Sequence, residues 1–413
     1  MPSPYRALFA APGSKAFSVA GFLGRLPLSM MGIGVVTMIS QLTGRYGLAG
    51  ALSATIALSA AVAGPQVSRL VDQYGQRRVL RPATLISLAA AALLLCAAHY
   101  GWPDWVLFAA CVGIGCVPSV GAMIRARWAA LYRGTPQLHT AYSFESVVDE
   151  VCFIFGPIIS IGLSTAWFPE AGPLLAACFL AAGVFSLTAQ RATEPAPHPR
   201  ERRGGGGTAM RSRGLQVLVA TFVATGAIFG AVDVVTVAFA EEEGHKAAAS
   251  IVLAVYAAGS CVAGMIYGLL HFAGPPERRW LLGVCAMAVS MIPLLLVGNL
   301  PFLAVALFVA GLSIAPTMIT TMSLIEEHVP RAQLTEGMTW VSTGLAAGVA
   351  LGSAAAGWVI DAAGARAGYG VPAVAGAVAV AVGFLGFRRL KRPAPGRGGS
   401  VEQHSERKER HVA

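Results

Sequence analysis

Charge is what this sequence has little of. Only 12% of its 413 residues are Asp, Glu, Lys or Arg, 55% are hydrophobic, and the mean hydropathy is +0.65. A soluble domain carries about 25% charged residues, so a water-soluble globule is excluded. Cysteine is present but unorganised: Cys96, Cys111, Cys116, Cys152, Cys178, Cys261 and Cys285 show no CxxC and no Cys/His ligand spacing. That argues against a disulfide framework or a zinc site and leaves each as a small apolar residue within a helix. There is no HExxH, no P-loop and no soluble domain, so no enzymatic activity, metal or cofactor is expected. No basic stripe with interleaved aromatics appears either, which argues against nucleic acid as a partner. The amino terminus, MPSPYRALFAAPGSKAF, lacks a cleavage pattern ahead of a short apolar core, so the first apolar run is expected to be retained.

What the sequence does have is long apolar runs. Twelve of them lie near residues 17–40, 48–69, 83–101, 105–124, 142–166, 172–190, 214–240, 249–272, 280–298, 301–325, 337–361 and 370–387. As helices, runs of about 18–25 residues cross ~30 Å of hydrocarbon. They are continuous rather than alternating, which calls for helices and not barrel strands. The expected fold is an all-α integral membrane protein of twelve transmembrane helices. With both termini cytoplasmic, all of the 30 Lys and Arg except Arg25, Arg45, Lys246 and Arg366 fall in cytoplasmic segments or at their helix ends, as the positive-inside rule requires. The net charge of +10 then reports topology and contact with anionic lipid. The HYGWPDW stretch at 99–105, Trp167, Trp280 and Trp340 lie near predicted helix ends, where amphipathic rings favour the lipid interface.

The chain divides in two. Residues 191–213, RATEPAPHPRERRGGGGTAMRSR, hold three prolines, four consecutive glycines and six arginines and read as a flexible cytoplasmic linker. It separates a six-helix half, 1–190, from a second, 214–390, and a charged tail at 391–413 reads as disordered. The halves echo each other: Gly64 and Arg77-Arg78 recur as Gly264 and Arg278-Arg279, and Pro118 and Gln137-Leu138 as Pro316 and Gln333-Leu334. Such parallel repeats suggest duplication.

The stretch GPQVSRLVDQYGQRRVL, residues 64–80, resembles the loop signature Gly-x-x-x-Asp-Arg-x-Gly-Arg-Arg of the major facilitator superfamily. Asp72 and Gly75 match, and Arg77 and Arg78 supply the basic pair one residue further on; Ser68 stands at the first glycine and Gln73 at the first arginine. The resemblance extends over the whole chain through its twelve runs and central linker. It implies a cytoplasmic gate in which Asp72 faces the start of the eleventh helix near Thr335-Glu336-Gly337. Glu336 would compete for that helix terminus, and Gln73 cannot relay charge, so a weakened latch is implied. Against the drug/proton antiporter branch the match is partial. Gly113-Ile114-Gly115 fits its fourth-helix signature but Ala109 replaces the arginine, and Gly156-Pro157-Ile158-Ile159-Ser160 keeps the fifth-helix Gly-Pro bend but ends in Ser160.

Acids sit where hydrocarbon is expected. In SFESVVDEVCFIFGPIISIGL, residues 143–163, Glu145 and Asp149 share a helix face at i, i+4 spacing and Glu150 points about 100° away. A charge at the membrane centre costs ~2.5–3.5 kcal/mol even on the lenient insertion scale, so they need partners or water. Arg25, at similar depth in the first helix, suits Asp149; Arg125 and Arg127 can neutralise Glu145 or Glu150. Either these are structural ion pairs, or Asp149 or Glu150 exchanges protons as the cavity alternates. Asp233, in GAIFGAVDVVTVAFA, is a second candidate for a cation or proton site, or else a hydrogen-bonded acid in a packed interface. Glu326 and Glu327 read as surface charges latching Arg331. Gly344, Gly348 and Gly352 face, by the resemblance, the small residues Ser53, Ala57, Ala61 and Ser68 of the second helix; a plain helix-packing ridge explains the same spacing equally well.

The functional expectation is a secondary transporter of the bacterial-type inner membrane, working by alternating access, with a small-molecule substrate, protons and the bilayer as partners and a monomeric state. Proton-coupled efflux is the first reading. Uptake, uncoupled diffusion or a non-transporting protein of the same fold are the alternatives.

Overall fold

The computed structural model describes residues 4–116, 119–197, 208–245, 248–270 and 274–391. Pro118, Lys246, the linker residues 198–207 and the tail from 392 lie outside them. The described residues form helices throughout: α1 (Ser14–Thr43), α2 (Tyr46–Tyr74), α3 (Gln76–His99), α4a (Asp104–Ile114), α4b (Val120–Tyr132), α5 (Pro136–Ala166), α6 (Ala171–Ala189), α7 (Arg213–Glu242), α8 (Ala248–Leu269), α9 (Pro276–Ser290), α10a (Leu300–Gly311), α10b (Ile314–His328), α11 (Leu334–Ala363) and α12 (Gly370–Leu390). Eleven elements are long and apolar enough to span a membrane, and the shorter apolar α4a begins the twelfth. This is a multi-pass membrane protein.

Local chemistry sets the helix ends. Gly44, Gly75 and Gly364 take φ of 69°, 91° and 85°, positions a side chain rarely tolerates, and each N–H closes the turn before it. Ser212 caps α7 by accepting the Leu215 N–H at 3.3 Å, and Asn299 caps α10a by accepting the Phe302 N–H at 2.9 Å.

The fourth run departs from the single helix 105–124 expected from sequence. It breaks after Ile114 and resumes at Val120 to run on to Tyr132. At the break, Gly115 lies so close to α2 that a Cβ would sit 2.3 Å from that of Ser59. The linker departs too. Thr193 and Ala209, near its two ends, are buried, and Glu194 accepts the Arg77 N–H at 2.9 Å; the described ends are docked against the bundle rather than free. Trp280 is fully buried instead of interfacial, while Trp102, Trp105 and Trp167 are exposed. Cys96 and Cys178 face outward, and Cys116 lies just past α4a.

Within each half, helices approach through glycine. A Cβ on Gly183 of α6 would lie 2.3 Å from the Gly24 nitrogen of α1. Gly344, Gly348 and Gly352 of α11 rest on the Val219, Val223 and Ala227 carbonyls of α7. This corrects the expectation that this ridge faces α2: it belongs to packing inside the second half. Between halves, α2 meets α11 and α5 meets α8. Here the repeat shows, since Gly64 of α2 lies against Thr339 of α11 and Gly264 of α8 against Val147 of α5.

The apolar core has three parts. One combines both halves at the end carrying the described termini, with Phe17, Trp128 and Tyr142 beside Phe222, Trp280 and Ile319. Toward the opposite end it divides into a core of the first half around Met30, Val35 and Leu94 and a core of the second around Val232, Met291 and Leu307. The halves are fused at one end and separately packed at the other.

Candidate functional site

The arginine of α1 and the acids of α5 meet. Arg25 is buried; its Nη2 pairs with Glu145 Oε2 and its Nη1 donates to Asp149 Oδ1 at 3.0 Å. Arg125 of α4b pairs through Nη2 with Asp149 Oδ2. Trp128, one turn further along α4b, donates Nε1–H to Glu145 Oε1 at 2.6 Å. Two cations and two carboxylates therefore balance in one network across α1, α4b and α5. Every carboxylate oxygen is engaged, which is what allows such charges to stay buried. The two acids differ in access: the Glu145 side chain is 1% exposed and that of Asp149 31%.

Arg127 is not part of this network. It bonds Gln76 at 2.8 Å, Thr193 at 2.6 Å and the Leu187 and Gln190 carbonyls at 3.0 Å, tying α4b to α3, to the end of α6 and to the linker. Arg125 takes Asp149 rather than Glu145 or Glu150. Both outcomes correct the pairing expected from sequence, and the reason is rotational: positions 125 and 127 stand about 200° apart around the helix.

Glu150 points away as its spacing required and accepts from Ser260 Oγ of α8 at 2.8 Å. That bond crosses between the halves near the middle of both helices. The remaining inter-half bonds lie nearer the end with the termini. Ser68 meets Thr339 at 2.7 Å, Asp72 accepts the Glu336 N–H at 3.0 Å, Thr140 donates to the Gly268 carbonyl at 3.1 Å, and Arg133 pairs with Glu326 at 2.9 Å. Tyr142 adds a 3.4 Å bond to Glu326.

Three expectations change here. The Glu336 carboxylate does not compete for its own helix terminus; it turns to Thr208 and to the Ala209 N–H. Glu326 is buried and crosses to the other half instead of latching Arg331, while Glu327 is exposed. Gly75 gives the turn at the end of α2, Arg77 uses its backbone rather than its side chain to hold Glu194, and Arg78 is exposed. Gly156 lies where a Cβ would meet Ser29 of α1 at 2.0 Å, and Pro157 follows within a continuous α5.

Asp233 of α7 is exposed. It and Glu150 both lie within electrostatic reach of Tyr256 of α8. Trp128, Arg133, Tyr256, Ser260 and Thr339 escaped the sequence reading because nothing local distinguishes them. Their significance comes from partners far away in the chain.

This architecture matches a known family along nearly its full length. The family model of the Major Facilitator Superfamily matches residues 17–298 and 234–412. The chain belongs to that superfamily. No curated protein matches it. Among solved structures it is similar to a bacterial homologue of the iron transporter ferroportin in an outward-facing state, at 12% identity and TM-score 0.72, covering 91% of this chain and 99% of the other. It is similar to the human organic anion transporter MFSD10 (TETRAN), at 15% and 0.68, covering 92% and 100%. It is similar also to the E. coli fucose:proton symporter FucP, at 14% and 0.67, covering 90% and 98%. At these identities the likeness is one of fold.

Proposed function

We propose that the chain is a secondary transporter that moves a small organic solute by alternating access, with proton-coupled efflux as its mode. The observation that carries this reading is the asymmetry of the seam between halves. Both the shared core and the inter-half bonds lie from the membrane middle toward the terminal end, while the other end has two separate cores. Two rigid halves held at one end are poised to rock about a central site. With both termini cytoplasmic, this is the state open to the outside.

We assign proton exchange to Asp149. It is the one acid of the buried network with an open face, and it holds an arginine from α1 and another from α4b. A proton on Asp149 leaves those two guanidiniums facing Glu145 alone, weakening the tie among three helices. The charged groups around it are Arg25, Arg125 and Glu145, with Glu150 the next residue in the chain. Uptake or uncoupled diffusion would use the same seam without this step.

The test uses proteoliposomes holding a proton gradient and a pH dye, with amines, sugars and amino acids added in turn. Solute-driven discharge is expected in the wild type and lost in Asp149→Asn, with the variant still monodisperse. Discharge retained in Asp149→Asn removes the proton from that residue. Solute flux without discharge makes the protein a facilitator.

A further inference from the structure

A second group of polar side chains lies just beyond the last inter-half bond, on the side where the halves part. On α7, Thr225, Phe229 and Asp233 recur every four residues and so share a face. On α8, Tyr256 and Ser260 do the same. The Phe229 and Tyr256 rings meet edge to face with centroids 6.3 Å apart, which brings the two faces together. Glu150 joins from α5 through Ser260.

Two features separate this group from ordinary packing. The first is charge: the acids of the neighbouring network are balanced by Arg25 and Arg125, whereas Glu150 and Asp233 have no cationic partner among the described residues. The second is an orphan. Tyr256 is only 7% exposed, yet its hydroxyl has no hydrogen-bond partner among the described residues, and neither has the hydroxyl of the still more buried Thr225. A buried hydroxyl left without a partner forfeits about 1–3 kcal/mol, a cost a bound ligand removes. Tyr256 stands within electrostatic reach of both acids, one turn from Ser260, which holds Glu150, and against Phe229, one turn from Asp233.

Resting on the transport reading above, we infer that Glu150, Asp233 and Tyr256 form the substrate site and that its ligand is a protonated amine. The carboxylates supply the countercharge, the Tyr256 oxygen accepts an N–H of the ammonium, and the Phe229 ring offers its face to the cation or to an apolar substituent. A quaternary ammonium carries the same charge but has no N–H for Tyr256. Proximity to Asp149 also gives exchange a physical basis. A proton on Asp149 makes the neighbouring network net positive and disfavours a cation at Glu150, one residue away.

The experiment measures binding in detergent by titration calorimetry, independent of flux, with phenethylamine and its N,N,N-trimethyl analogue as probes. Saturable phenethylamine binding is expected, weakened roughly tenfold or more by Asp233→Asn or Glu150→Gln. Asp233→Glu, which keeps the charge, is expected to retain binding within a few fold and guards against loss through misfolding. The trimethyl analogue should bind several-fold more weakly than the amine, and Tyr256→Phe should erase that difference. Equal affinity for both probes in the wild type, or a difference that survives Tyr256→Phe, overturns the role of Tyr256. Binding unaltered by Asp233→Asn/Glu150→Gln, or carriage of anions or sugars with no amine binding, overturns the site while the transport reading stands. Amine binding without flux of any solute would leave the site in place and sink transport.

Discussion

The Asp72 carboxylate accepts the backbone N–H of Glu336 at 3.0 Å, joining the end of α2 in one half to the first turn of α11 in the other. A carboxylate at a helix N-terminus meets orphan N–H groups and the positive end of the dipole. Four residues earlier on α2, Ser68 meets Thr339 one turn further along α11. The signature stretch therefore meets the opposing half through a backbone N–H and a hydroxyl.

Loosening that seam should shift the resting state. Asp72→Asn removes a charge–dipole contact of about 0.3–1 kcal/mol, and Ser68→Ala one hydrogen bond of about 1 kcal/mol. Together they should raise the population open at the terminal end roughly tenfold or more. Spin labels at the exposed Arg78 and Arg331 report it as a longer distance; an unchanged distribution would remove the contact from gating.

Arg25→Ala leaves Glu145 buried without its cation. Breaking one side of a buried pair costs about 3–5 kcal/mol, so severe loss of thermal stability in detergent is expected. Asp149→Asn should cost much less, because its side chain is 31% exposed. Equal losses would contradict the difference in burial.

The glycines of α11 should divide by what faces them. A Cβ on Gly348 would lie 2.0 Å from the Val223 carbonyl, whereas one on Gly357 meets nothing within 4 Å. Gly348→Ala is expected to destabilise by about 1–3 kcal/mol through overpacking. Gly357→Ala should be neutral or stabilise by up to about 1 kcal/mol, since alanine is the better helix former. Melting curves of the two variants settle the comparison.

Arg133 and Glu326 pair across the halves at 2.9 Å with both side chains largely buried. Arg133→Glu should place two acids together and force the terminal end apart, and the exchange Arg133→Glu/Glu326→Arg should restore part of the closed population. The distance between spin labels at positions 78 and 331 measures both. No recovery in the exchanged protein would mean that the pair does not hold the end closed.

The sequence determined the solvent this protein inhabits, and from that its helices. Hydrocarbon satisfies no backbone group, so continuous apolar runs must close their hydrogen bonds internally. Their number could be read from composition alone. The acids at 145, 149 and 150 and the arginine at 25 were legible for the same reason: charge is conspicuous where it is costly. Tertiary structure decided partners. Periodicity shows that Gly344, Gly348 and Gly352 share a face, and it is equally compatible with α2 or α7 opposite; only the packing of the second half selects α7. Local sequence carries no mark on Tyr256, whose hydroxyl matters because α5 and α7 bring acids to it. Rotation about each helix axis is fixed by neighbours distant in the chain, and no local propensity encodes it.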